Sequence, residues 1–260
     1  MDRGTQERQS SIRVIVRRLK RRRSNASVPP EIIGTSLLAA HNLIAHRVLR
    51  PPADAGLNFV SAAALTALTL QTGSTIEDLG LARSDLRQGL ITGSVGAACC
   101  CSVVGAIAAI PSTRRFFFDD RLMHMSQRET LYHAALRIPV ATALTEEIMF
   151  RSALHALVAR KHGSRRAVIW TSVIFGMWHI LPTLETYEGN PVSNLSDGSS
   201  ARTKTAFGIA GATACAGFFF SQLRLRSKSV AAPAMTHAVI NLSAFLIGRA
   251  LVGRNARIID

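Results

Sequence analysis

Acidic side chains are scarce in this chain: 16 Asp plus Glu stand against 31 Lys plus Arg over 260 residues, a formal net charge of +15. Charge of either sign is thin, at 18% of residues against 48% hydrophobic, which excludes the charged, apolar-poor composition of a disordered segment. Only four cysteines occur, Cys99, Cys100, Cys101 and Cys215, and none is spaced as CxxC. They read as small apolar residues for helix packing rather than as a disulfide or metal framework. A glycine-rich phosphate loop, an HExxH pair and an internal repeat are all missing, so a P-loop nucleotide site, a zinc site built from one helix and a transporter of two related halves lack their sequence basis.

What the chain does have is long uncharged stretches: Ala55 to Ile76, Leu90 to Thr113, Ala167 to Leu184, Thr205 to Leu223 and Ser229 to Gly248. Each is close to the roughly 20 residues needed to cross about 30 Å of hydrocarbon. Ile32 to His46 is a shorter candidate, and Leu131 to Ala159 is long enough but carries Arg137, Glu146, Glu147 and Arg151. Seven candidate helices result, with six the safer minimum. The run LITGSVGAACCCSVVGAIAAI, Leu90 to Ile110, has no polar face at helical spacing, which argues against a soluble helical domain. The expected fold is all-α, a multi-pass transmembrane bundle of six to eight helices around a polar intramembrane cavity.

The first thirty residues hold nine Lys plus Arg against two acids, a net of 9 − 2 = +7. An arm of this kind can bind nucleic acid. Directly before an apolar segment, it is better read as a cytoplasmic anchor that touches anionic lipid. A signal peptide is a further reading, disfavoured because His41, His46 and Arg47 interrupt the apolar region. The division is therefore a basic arm at 1–30, a polytopic membrane domain at 31–253 and a catalytic core at 131–248. The basic connections ARKHGSRR (Ala159 to Arg166) and RLRSKS (Arg224 to Ser229) are expected on the cytoplasmic side of the cell membrane. The Arg-containing stretch Pro111 to Thr130 then fits badly outside.

Three polar constellations sit in apolar segments: TEEIMFR (Thr145 to Arg151), FGMWH (Phe175 to His179) and HAVIN (His237 to Asn241). An ionisable group at the bilayer centre costs at least ~2.5 kcal/mol, so such residues should face a protein interior or a watery cavity. Glu147 and Arg151 lie four apart and can pair on one helix face, each offsetting the other's desolvation. Glu146 points about 100° away and is left for another partner, such as a water. A carboxylate in a low-dielectric cavity is suited to take a proton from water and return it to a leaving amine. His237 and Asn241, one turn apart, could donate hydrogen bonds to an oxyanion. His179, with Phe175 one turn before it, brings a second imidazole, so zinc held by His179 and His237 is permitted by the residue types without being required.

In order, the three motifs resemble the EExxxR, FxxxH and HxxxN motifs of the CPBP family of intramembrane proteases, the group of type II CAAX prenyl endopeptidases and bacteriocin-processing or immunity proteins. The resemblance covers roughly Leu131 to Gly248, with LGLARSDLRQGL (Leu79 to Leu90) a softer match. It implies a helical bundle cleaving a peptide bond of a membrane-associated peptide or protein. It also implies Glu146 as the base that activates water, His179 helping to position it, and His237 with Asn241 stabilising the oxyanion. Glu147 and Arg151 would support the site. A non-catalytic immunity or peptide-binding protein of the same fold is the alternative reading, and a transporter a third. His41, His46, His124, His133, His155 and His162 match no motif and read as structural or interfacial, while Trp170 and Trp178 fit either belt or core. Membrane lipid and a membrane-associated substrate are the expected partners, nucleic acid is not, and the sequence leaves the oligomeric state open.

Overall fold

A computed structural model of the chain describes residues 28–49, 53–187 and 199–259, so the basic arm at 1–30 falls, but for its last three residues, outside them. The described residues form eight helices and no strand, within the expected six to eight. Five stretches are long and apolar enough to cross a membrane: Ala53–Gln71, Arg83–Ala109, Ser164–Thr186, Ser200–Ser227 and Ala231–Val252. They coincide with the five uncharged stretches of the sequence. Large apolar side chains such as Val60, Val95, Ile169 and Phe207 point outward, while Glu147, Arg151 and His237 are buried. That inversion of the usual soluble pattern is the one a lipid solvent produces.

Helix α1, Pro30–Arg47, starts on a proline at its first position, where the missing N–H would have had no partner. Helix α2 is Ala53–Gln71 and α3 is Leu86–Ala109, the latter stopped before Pro111. A longer helix, α4, runs over 127–162. It begins with a capping box, in which Ser126 Oγ accepts from the Glu129 N–H and the Glu129 carboxylate accepts from the Ser126 N–H. Its middle is not regular: His133–Leu144, which contains Pro139, and Ile148–Leu154 are π-helical, and the three α-helical residues Thr145–Glu147 lie between them. Wide turns of this kind accompany functional sites and accommodate a proline that cannot donate to the ladder. Gly163, at φ 81°, ends α4 and opens α5, Ser164–Trp178. The chain continues as α6, Ile180–Thr186, then α7, Ser199–Ser227, and α8, Ala231–Ile259.

Small residues allow the closest helix contacts. Gly93 of α3 faces α8 so tightly that an added Cβ would stand 3.0 Å from the Ala232 Cα, and at Gly96 it would stand 2.6 Å from Thr236 Oγ1. Gly176 of α5 abuts α7, where a Cβ would stand 2.4 Å from the Ala210 carbonyl oxygen. These contacts gather α5, α7 and α8 around the middle of α4, where Met149, Phe150, Leu154, Phe175, Trp178 and Phe220 make one apolar cluster. Trp178 thus belongs to the core; Trp170, half-buried, donates from Nε1 to Thr35 Oγ1 at 3.1 Å.

Candidate active site

The three-residue α-helical segment of α4 carries both adjacent glutamates, with Arg151 one turn on in the π-helical stretch that follows. Glu147 and Arg151 are both fully buried, and Arg151 Nη1 donates to Glu147 Oε1 at 3.1 Å. The same oxygen accepts from His237 Nδ1 at 2.9 Å, so the carboxylate joins α4 to α8 as the middle of an Arg151, Glu147, His237 triad. The Arg151 guanidinium stacks on the Phe175 ring, 3.9 Å from its centre, with Phe220 and Phe150 farther out. Cation–π contact is strongest when desolvated, and here it compensates a guanidinium whose Nε and Nη2 have no hydrogen-bond partner.

Glu146 is 7% exposed and its Oε2 is unpartnered. Glu147 Oε2 is unpartnered too, but Glu147 is tied through Oε1 to Arg151 and His237, whereas Glu146 is bonded to no described residue and is the carboxylate left for a ligand. The His179 ring is set by a break in helical order. Pro182 has no N–H for the Trp178 carbonyl one turn back, and Asn42 Nδ2 takes that oxygen instead at 3.1 Å. At this break, between α5 and α6, His179 Nδ1 donates to the Phe175 carbonyl at 2.7 Å. Because a carbonyl only accepts, Nδ1 carries the proton and Nε2 is the free nitrogen. Phe175 also packs edge-on against the rings of His179 and His237. Asn241 is half-buried one turn beyond His237 on α8 and makes no hydrogen bond to another described residue.

Three parts of this arrangement escape sequence reasoning. Gly217 of α7 makes room for the guanidinium, since a Cβ there would stand 2.8 Å from Arg151 Nη2 and 3.2 Å from Phe175. Phe220 stacks on His237 with ring centres 5.0 Å apart, and Asn42 holds the break beside His179. Gly217 sits in an apolar run rich in small residues, and Phe220 in a run of three phenylalanines, so neither gives a local signal. Five of the six histidines outside the motifs engage elsewhere: His41 with Ser61, His46 with Glu185, His133 with Phe245, His155 with Ser164 and His162 with Glu31; His124 joins none of these contacts.

A complete set of zinc ligands is not assembled among the described residues. Among the described residues no three His, Cys, Asp or Glu side chains are grouped to hold a metal; the Nδ1 bonds of His179 and His237, to a carbonyl and to Glu147, leave Nε2 as the open nitrogen of each ring. The pair expected from sequence lacks a third ligand.

Residues 128–243 match the family model of Type II CAAX prenyl endopeptidase, Rce1-like. That span contains all three motifs and bears out the resemblance read from them. No curated protein and no solved structure matches the chain at a significant level.

Proposed function

With an Rce1-like type II CAAX prenyl endopeptidase region at residues 128–243 as the premise, we propose that this membrane protein is an endopeptidase in which Glu146 activates water against a peptide bond of a membrane-associated peptide or protein. The observation that carries the reading is the division of labour between adjacent glutamates: each has a buried, unpartnered Oε2, but Glu147 is tied through Oε1 to Arg151 and His237, whereas Glu146 makes no hydrogen bond or ion pair to a described residue. Glu146 accepts a proton from water as the oxygen attacks the scissile carbonyl, and later gives it to the departing amine, so the carboxylate is regenerated. His179, protonated on Nδ1, offers the Nε2 lone pair to the same water and fixes its approach. The Asn241 amide can donate to the developing oxyanion, and His237, whose Nδ1–H is held by Glu147, can add an Nε2–H when its ring carries both protons. No step passes through a metal.

Glu147 and Arg151 act by holding His237 and α4 in register. The chain is proposed to sit in the cell membrane with the basic connections 159–166 and 224–229 in the cytoplasm. The test is cleavage of membrane peptides by cells carrying the intact chain or Glu146→Gln, with products read by mass spectrometry. Loss of specific fragments in the variant is expected; an unchanged fragment pattern overturns the assignment.

A further inference from the structure

At the end of the bundle opposite the site's break in α5, three connections meet: the turn after α2, the α4–α5 junction at Gly163, and the α7–α8 turn. Between them lies a cavity of about 430 Å³ whose lining includes Ser74, Glu77, Asp78, His155, Arg160 and Arg224. Arg224 is 6% exposed, yet among the described residues it has no carboxylate within ion-pair distance. Its Nη2 donates to the carbonyls of Asp78 at 2.9 Å and Glu77 at 3.4 Å, and its Nε is unpartnered. A buried guanidinium met only by carbonyl dipoles is a poorly compensated charge.

The turn is shaped around two guanidinium groups, the buried one of Arg224 and the exposed one of Arg160. Gly80, at φ 69°, lies so close to Arg224 that a Cβ would stand 2.1 Å from Nε, and Gly73, at φ 86°, lies 3.2 Å by the same measure from Arg160 Nη2. Both left-handed glycines therefore serve the fold of the turn and the placement of a guanidinium at once. Arg160 itself is exposed at the cavity rim and makes no ion pair among the described residues. Glu77 and Asp78 also line the cavity, with the Asp78 carboxylate accepting from the Thr75 N–H at 2.9 Å. One cavity thus offers two forked cations and two carboxylates, a pattern that fits a ligand carrying both charges. Guanidinium forks match the geometry of phosphate oxygens, and carboxylates match an ammonium.

Depth points to the source of that ligand. Arg224 lies just inside the end of the span Ser200–Ser227, Ser74 follows the end of Ala53–Gln71, and the span Ser164–Thr186 begins at the cavity. This is where headgroups sit, and the exposed Ile76, Leu81 and Leu225 beside the rim offer apolar contact to acyl chains. We propose that this cavity binds a phospholipid headgroup of the phosphoethanolamine class, with its phosphate on Arg160 and Arg224 and its ammonium on Glu77 and Asp78. The proposal stands apart from the hydrolytic reading, because none of these residues belongs to the three motifs.

The experiment is native mass spectrometry of the full chain released from discs containing equal amounts of phosphatidylethanolamine, phosphatidylglycerol and phosphatidylcholine. Phosphatidylethanolamine should be retained about tenfold over the other two, the scale of charge-assisted hydrogen bonds gained or lost. Arg160→Ala, a surface change, should remove that enrichment while the protein elutes as one species with an unchanged melting temperature. Glu77→Gln combined with Asp78→Asn should equalise phosphatidylethanolamine and phosphatidylglycerol. Arg224→Ala is informative only if it folds, so Arg160→Ala carries the decision. Equal retention of all three lipids, or enrichment that survives Arg160→Ala, overturns the proposal. Retention of phosphatidylglycerol as strong as that of phosphatidylethanolamine in the intact chain reduces the cavity to a simple anion site. Binding of glycerophosphoethanolamine in detergent as tight as that of the lipid would make the ligand a soluble molecule instead.

Discussion

Glu147 and Arg151 show how much a pair of side chains can decide and how far spacing alone reveals it. Four-residue spacing on a helix anticipates their ion pair, and it is present at 3.1 Å although the turn between them is π-helical. Spacing does not reveal which histidine closes the triad, because His237 arrives from α8, ninety positions away in sequence. Removing one partner, by Glu147→Gln or Arg151→Ala, leaves a buried unpaired charge, and a loss of about 3 to 5 kcal/mol is expected as a lower yield of folded protein. Gly217→Ala should act through the same group, forcing the guanidinium from the Phe175 face at a cost of roughly 1 to 3 kcal/mol, readable as a lower melting temperature. A melting temperature equal to that of the intact protein would show that the guanidinium is not confined by α7. For zinc, the residue types permit a site that the geometry does not assemble. Exhaustive chelation of purified protein is therefore expected to leave cleavage unchanged; activity lost on chelation and restored by zinc would contradict this.

The helices were legible where composition alone sets them. Five apolar stretches became five spans, because a run without charge has one stable environment in a bilayer and one backbone conformation that satisfies itself there. The irregular elements were not legible. The π-helical stretches of α4 depend on how Pro139 and the facing helices α2 and α8 share space, and no periodicity records that. The break between α5 and α6 was hidden for a related reason. Pro182 marks a weak point, but the partner that stabilises it, Asn42, comes from α1. Asn42→Leu should leave the Trp178 carbonyl unmet at a cost of about 1 to 3 kcal/mol. It should also lower cleavage more than folding, since His179 hangs from that break. Equal loss of both would reduce Asn42 to a structural role.

At the scale of the whole molecule, orientation and chemistry are the two claims to be tested. If the basic connections are cytoplasmic, an impermeant thiol label applied to intact cells should miss a cysteine placed at Gly163 and reach one at Gly198, which lies outside the described residues; the reverse pattern would invert the topology. The chemistry rests on one distinction, that Glu147 is a structural anion and Glu146 a base. Folded amount and cleavage rate of the intact chain, Glu146→Gln and Glu147→Gln, measured side by side in the same membranes, test that distinction most directly. Glu146→Gln is expected to accumulate normally while cleavage falls by about 100-fold or more, the scale of a lost general base, and Glu147→Gln is expected to lose folded protein. Near-normal cleavage by Glu146→Gln, or identical losses of folding in both variants, would contradict the account and favour a protein that binds peptides without cutting them.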